Sequence, residues 1–233
     1  MTNVQRSFNP YIDSVLDTGP IDKTVWTYAF ALNSSQTNDG ANNPYFFAFT
    51  PAQQAVFRYA IAQYAAVCNL TFIETPASSN PDLRTCYYKS GQNWSGAFQG
   101  GDYGGTLYYN TSLANPLPGT YDFHDYLHEL GHALGLRHPA AISDAFKGVM
   151  PADHQGKDYA VNFSGNDVIG ANTDGETTFQ TLGMDDIRTL QYRWGANYTT
   201  NNANTIYTWD PTTGAEYIQN GNGVRTQQNT PAD

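Results

Sequence analysis

The spacing of apolar residues after Thr50 predicts a first helix. Thr50 is suited to be its N-cap, Pro51 to be its first helical residue, and Gln53 to close a capping box with Thr50. Four side chains then recur at helical spacing and form one face, namely Phe57, Ile61, Tyr64 and Cys68. This pattern predicts a helix over residues 51–68.

Two later stretches show the same helical spacing. The second predicted helix covers residues 121–134 and ends at Gly135. Its core face consists of Phe123, Leu127, Leu130 and Leu134. The third predicted helix covers residues 184–194, with Gly195 as a C-cap and with acidic residues in its first turn that complement the helix dipole. Its core face consists of Met184, Ile187, Leu190 and Trp194.

Runs of β-forming residues predict strands between and after these helices. The predicted strands are residues 25–31, 70–75, 83–88 and 105–109. The glycine-rich stretch 96–105 is expected to be a surface loop, and residues 205–219 form a candidate hairpin. Residues 139–181 contain few periodic apolar positions, which is typical of a functional or disordered loop.

The composition narrows the possible partners. The chain has 233 residues, of which 14% are charged, and its formal net charge is −10. An acidic surface repels phosphate groups, so we expect neither nucleic acid nor an anionic membrane as a partner. The two cysteines, Cys68 and Cys86, are too few for a Cys-type zinc site. The sequence leaves open whether they form a disulfide, although Cys68 lies on the apolar face of a predicted helix.

The candidate chemistry lies in residues 128–138, which read HELGHALGLRH. His128 and His132 are four residues apart on a predicted helix, so both imidazoles leave one face and can bind one Zn²⁺ at about 2.0–2.1 Å. Glu129 is suited to be the general base for a water molecule, and Gly135 allows a sharp turn that brings His138 round as a third ligand. Three protein ligands leave one position open, which is typical of catalytic zinc.

The complete pattern, HExxHxxGxxH, is the metzincin motif. With the flanking residues 121–127 and Pro139, it resembles the serralysin-type secreted metalloproteases of bacteria, a branch of the metzincins. Further similar blocks are Trp26–Phe30, residues 51–73, Asp186–Tyr198 and Thr205–Gly214. The resemblance covers about residues 9 to 223.

This resemblance implies an α+β fold, a metzincin zinc-protease catalytic domain with a twisted, mostly parallel sheet and three main helices. It implies a secreted, extracellular endopeptidase with one catalytic Zn²⁺ on His128, His132 and His138, and with Glu129 as the catalytic residue. Its partner would be a protein or peptide substrate, added antiparallel to an edge strand, for which residues 105–109 are the candidate. We expect the chain to be a monomer.

The C-terminal part departs from the family pattern. The catalytic domain is expected over residues 1–197, with residues 198–233 as a lead-in to a β-roll module that is cut off before the calcium-binding repeats. Calcium is therefore expected only in a full-length parent, since the tail lacks the Gly/Asp-rich turns that would bring carboxylates together.

The turn beneath the zinc also departs from the family pattern. One alignment places it at Tyr159–Ser164, with Asn162 where the family has Met and Ser164 where it has Tyr; the other places it at Gly148–Pro151. Tyr159 could replace the missing Tyr, and His124 could support the site or be an ordinary exposed histidine. These departures motivate an alternative function, a zinc-containing but catalytically feeble binding protein.

Overall fold

The structure is a computed structural model. The residues that it describes are 2–17, 20–21, 23–37, 42–89, 95–98, 105–117, 120–137, 181–212, 216–219 and 225–227.

Four helices are present in this part of the chain. They are α1 (Pro10–Asp13), α2 (Pro51–Val67), α3 (Tyr121–Ala133) and α4 (Met184–Trp194). The three helices predicted from the sequence are α2, α3 and α4, and each observed boundary lies within one residue of the predicted one. The predicted capping box is confirmed: the Thr50 hydroxyl accepts from the Gln53 N–H at 3.3 Å, and the Gln53 side chain accepts from the Thr50 N–H at 2.8 Å.

The strands of the described residues form three sheets. In chain order they are β1 (Thr2–Asn3), β2 (Pro20–Ile21), β3 (Val25–Phe30), β4 (Phe46–Phe47), β5 (Thr71–Glu74), β6 (Leu83–Tyr88), β7 (Gly96–Phe98), β8 (Gly105–Asn110), β9 (Ile206–Trp209), β10 (Glu216–Gln219) and β11 (Arg225–Gln227). The main sheet has the order β5-β3-β6-β8-β7, with β4 beside β6. Its first four strands are parallel, whereas β7 and β4 are antiparallel to their neighbours. This mixed sheet with helices is compatible with the predicted α+β class.

The edge of the main sheet differs from the sequence prediction. Residues 96–98 were expected in a loop but form β7, which pairs with β8 from Gly96 opposite Tyr108 to Phe98 opposite Thr106. The predicted edge strand, residues 105–109, therefore has a neighbour on each side, and among the described strands β7 occupies the edge instead. The short Gly-Ala-Phe segment has no alternating pattern, and its strand conformation depends on backbone pairing with β8.

The hydrophobic core lies between the main sheet and helices α2 and α3. The predicted core faces of both helices are buried, as expected from their spacing. The face of α4 is different at its start: Met184 is 46% exposed, whereas Asp185 and Asp186 are buried. The Asp186 carboxylate accepts the Gly183 N–H at 2.8 Å, because unpaired N–H groups at a helix N-terminus attract a carboxylate. The prediction for Met184 was therefore wrong.

Two distant segments pack against the turn that follows α3. In the N-terminal segment, the Asp17 N–H donates to the Gly135 carbonyl at 2.9 Å, and the Arg137 N–H donates to the Val15 carbonyl at 2.8 Å. From α4, the Trp194 indole N–H donates to the Leu134 carbonyl at 3.1 Å. The turn after α3 is thus held from both sides.

The C-terminal hairpin agrees with the sequence prediction, and the cysteines settle a question that the sequence left open. Strands β9 and β10 are antiparallel and form the predicted hairpin, with β11 added beside β10. Cys68 and Cys86 are both buried free thiols, so they are not bridged to each other. Burial raises the pKa of Cys68 to about 12.

Among the described residues, no helix combines the length and the apolar character needed to cross a membrane.

Candidate metal centre

Helix α3 brings the first two predicted ligands together. The Nε2 atoms of His128 and His132 are 3.0 Å apart. Two nitrogens bound to one tetrahedral zinc ion at about 2.0–2.1 Å would lie about 3.3 Å from each other. The two imidazoles therefore fit one metal ion after a movement of a few tenths of an ångström, and imidazole is a preferred zinc ligand.

A backbone carbonyl orients His132. Its Nδ1 lies 2.9 Å from the Leu136 carbonyl oxygen, which can only accept a hydrogen bond, so the proton belongs on Nδ1 and Nε2 presents its lone pair. Burial lowers the pKa of His132, while the Leu136 carbonyl and the Asp17 charge oppose this effect. The net shift favours the neutral imidazole, which is the form that binds metal.

Gly135 makes the turn that presents the Leu136 carbonyl. Its φ is +91°, a conformation that other residues adopt at a cost, so the expected sharp turn at this glycine is confirmed. A Cβ atom at Gly135 would also lie 2.5 Å from Nε of Arg193. Backbone conformation and the close approach of α4 therefore both require glycine here.

Glu129 directly follows His128 in α3. It is buried, with 5% of its surface exposed. It is near two tyrosines: burial first, and then the charge of Glu129, raises the pKa of Tyr109 well above its usual value. Tyr121 has a pKa raised to about 12, by burial and then by the charges of Asp125 and Glu129. Glu129 is thus a buried side chain whose charge acts on both Tyr109 and Tyr121.

Buried tyrosines fix the backbone of α3 just before the first ligand. The Tyr64 hydroxyl donates to the Leu127 carbonyl at 2.7 Å, and the Tyr109 hydroxyl donates to the Tyr126 carbonyl at 3.3 Å. Sequence reasoning placed Tyr64 in the core but missed this role of the hydroxyls. A tyrosine rather than a phenylalanine on a buried helix face is the signal that could have indicated a polar partner.

Two further residues of α3 are buried close to the ligands. His124 is 4% exposed, and its ring centroid lies 6.1 Å from that of His128, so the alternative of an ordinary exposed histidine was wrong. Asp125 is 6% exposed and accepts a hydrogen bond from the Ser95 hydroxyl at 2.5 Å. Burial raises the pKa of Asp125 to about 7, although the Ser95 bond opposes the shift. Sequence reasoning missed both Asp125 and Ser95.

Several predicted site residues lie outside the described part of the chain. They are His138, the two alternative turns at Tyr159–Ser164 and Gly148–Pro151, and Tyr159 itself. Within the described residues, no group of three or more His, Cys, Asp or Glu side chains could hold a metal ion. The structure therefore brings together His128 and His132, with Glu129 adjacent in the helix.

The sequence is similar to that of known metalloproteases. It is 27% identical over 209 residues to Serralysin B of Dickeya chrysanthemi, a match that covers 82% of this chain and 43% of that protein. It is 28% identical over 221 residues to Metallopeptidase AprA of Pseudomonas marginalis, covering 86% of this chain and 45% of the relative. Metalloprotease AprA of Pseudomonas entomophila is 30% identical over 184 residues, which are 70% of this chain and 37% of that relative. No model of a protein family matches the chain.

These relatives are all metalloproteases, and several of them belong to one group of metalloproteases, the serralysins. Serralysins recur among the matches, and they confirm the predicted resemblance to the serralysin-type metalloprotease catalytic domain. The chain spans less than half of the length of the curated relatives described above.

Proposed function

We propose that this chain is the catalytic part of a zinc-dependent endopeptidase. The observation that carries the proposal is the convergence of the His128 and His132 Nε2 atoms at 3.0 Å, with His132 oriented by the Leu136 carbonyl. The similarity to metalloproteases supports the same reaction class. His138 is the third ligand in this proposal, as the spacing of the motif predicts.

Glu129 is the general base of the proposed reaction. A zinc ion in this site would polarise the scissile carbonyl and lower the pKa of a water molecule towards about 7. Glu129 takes the proton of the attacking water and passes it to the leaving amine. Its burial keeps bulk water away from this proton transfer, which strengthens electrostatic interactions in the site.

The substrate would bind as an extended segment along β7. In the described part of the main sheet, β7 pairs with β8 on one side and is the last strand of the order. An extended peptide can add its backbone hydrogen bonds to such an edge, which makes β7 the docking strand in place of residues 105–109. The proposed substrates are therefore protein or peptide segments without regular structure.

The other features of the proposal follow from the resemblance. We propose a secreted protein that acts as a monomer, with residues 1–197 as the catalytic domain and residues 198–233 as a lead-in to a β-roll module. The alternative of a catalytically feeble binding protein depends on Asn162 and Ser164, which lie outside the described residues, and on the expected lack of calcium-binding repeats. No observation favours it.

A protease assay on unfolded casein tests this proposal. We expect cleavage that a chelator abolishes, that zinc restores, and that Glu129→Gln reduces at least 10²-fold, with about one zinc bound per chain in both proteins. Asp122→Asn is the matched control, since it makes the same change of carboxylate to amide in the first turn of the same helix. Undiminished cleavage by Glu129→Gln would contradict the assignment.

A further inference from the structure

One serine hydroxyl connects the metal-binding helix to the edge of the main sheet. Ser95, which directly precedes β7, donates its hydroxyl to Oδ2 of Asp125 in α3 at 2.5 Å. The same Ser95 oxygen accepts the N–H of Asn110, the last residue of β8, at 3.0 Å. The Ser95–Asp125 contact therefore joins α3, β7 and β8 at a single point.

The Asp125 end of this contact is unusual for a carboxyl group. Asp125 is almost fully buried and lies three residues before His128 and four before Glu129 on α3. A buried carboxyl group destabilises the fold unless its hydrogen bonds compensate, and the raised pKa of Asp125 reflects this burial. Ser95 supplies a hydrogen bond that the carboxyl group accepts whether it is ionised or neutral.

The β7 end of the contact needs external support. The strand has three residues, each paired with β8. In so short an edge strand few backbone hydrogen bonds fix the register, and a slip of one residue would turn every side chain and hydrogen-bonding group to the opposite side. The Ser95–Asp125 contact fixes the start of β7 against α3, independently of the pairing with β8.

We propose that Ser95 and Asp125 are positioning residues, which set the docking strand β7 at a fixed distance and register from the metal-binding helix. This inference rests on the proposed function, since β7 is the strand along which the substrate would lie. The contact would present the extended peptide so that its scissile bond lies opposite Glu129 and the two histidines.

Ser95→Ala in the full chain tests the role of the hydroxyl. Loss of the contact should raise KM for an extended peptide of about eight residues roughly tenfold and change kcat by less than about twofold, because the strand binds the ground state and the transition state alike. Amide hydrogen exchange at residues 95–98 should become at least about tenfold faster. Zinc stoichiometry should stay at that of the unmodified protein.

Three further variants separate positioning from a general effect on folding. Ser95→Thr retains the hydroxyl and should restore KM, and Asp125→Asn retains an acceptor oxygen and should keep KM within about threefold of the unmodified protein. Ser112→Ala is the matched control, because it removes a serine hydroxyl that bonds the Asn110 side chain at 2.8 Å and does not contact Asp125. We expect no change in KM or exchange for this control.

The outcomes distinguish this inference from the proposed function. Unchanged KM and exchange in Ser95→Ala, failure of Ser95→Thr to restore them, or an equal effect of Ser112→Ala would each overturn the positioning role. If the unmodified chain cleaves no peptide with zinc bound, the proposed function and the substrate part of this inference fail. Hydrogen exchange at residues 95–98 would then still show whether the contact holds β7.

Discussion

Asp125 makes the stability of this protein depend on pH in a direction that a single substitution can reveal. Asp125→Asn replaces the buried carboxyl group with an amide of nearly the same shape. The amide oxygen can still accept the Ser95 hydroxyl, and the side chain can no longer ionise. The difference in stability between the two proteins at each pH therefore isolates the titration of Asp125.

The size of the effect follows from the two pKa values of this group. The pKa of Asp125 is raised from 3.8 to about 7 in the folded protein. Below about pH 4 the group is protonated in both states and contributes no difference. Between about pH 4 and 7 it ionises in the unfolded chain but stays protonated in the folded one, so stability falls as the pH rises. The full shift corresponds to about 4 kcal/mol.

Urea denaturation of both proteins at pH 4.5, 6 and 8, with a chelator present throughout, measures this difference. We expect Asp125→Asn to gain on the unmodified protein as the pH rises, by at least about 2 kcal/mol and at most about 4 kcal/mol, because local relaxation around the ionised group recovers part of the penalty. The ionisation of groups that do not interact with Asp125 is common to both proteins and cancels.

Asp122→Asn, on the same helix and partly exposed, controls for the change of carboxylate to amide. The charge of Asp122 is a minor cause of the raised pKa of Asp125, so we expect Asp122→Asn to gain much less than Asp125→Asn as the pH rises. A difference between Asp125→Asn and the unmodified protein that stays constant from pH 4.5 to 8 would refute the reasoning. A gain of Asp125→Asn that grows as the pH falls would refute it as well, since the sign depends on Asp125 staying protonated in the folded protein between about pH 4 and 7, where it is ionised in the unfolded chain.

Three other predictions concern stability and metal binding. In urea denaturation, Gly135→Ala should lower the free energy of unfolding by about 3 kcal/mol, because it strains the backbone and displaces Arg193. The same substitution should weaken zinc binding. An unchanged urea midpoint would contradict this prediction. Tyr64→Phe should cost about 1 kcal/mol in thermal denaturation through loss of the bond to the Leu127 carbonyl, and a neutral result would show that this bond is dispensable. Submillimolar calcium should leave the melting temperature unchanged, whereas a rise of several degrees would reveal a calcium site.

The elements that could be predicted from the sequence are those with local signals. Thr50 and Gln53 identify the start of α2 because a capping box involves residues three positions apart. His128, Glu129 and His132 identify the candidate site because one helix turn brings the two ligands together without help from the rest of the fold. These signals need no knowledge of tertiary structure.

The features that could not be predicted depend on contacts between distant residues. Strand β7 exists because β8 lies beside it, and its own three residues carry no strand pattern. The contact between Ser95 and Asp125 joins residues 30 positions apart, and neither position is marked by its sequence neighbours. At the start of α4 the apolar spacing favoured Met184 as a core residue, whereas the carboxylate of Asp186 is drawn inward by the Gly183 N–H.

The attachment of α4 to the turn after α3 has a consequence for the order in which the protein assembles during synthesis. The Leu134 carbonyl is bonded by Trp194, 60 residues further along the chain, and Arg193 lies against Gly135. The residues of α3 are synthesised first, but the turn after this helix gains its support from α4 only after residue 194 has been synthesised. At about 5–20 residues per second this is a delay of several seconds. We therefore expect the metal centre to form late in synthesis. A nascent chain of the proposed protease would then hydrolyse peptide bonds only when most of its own fold is already complete.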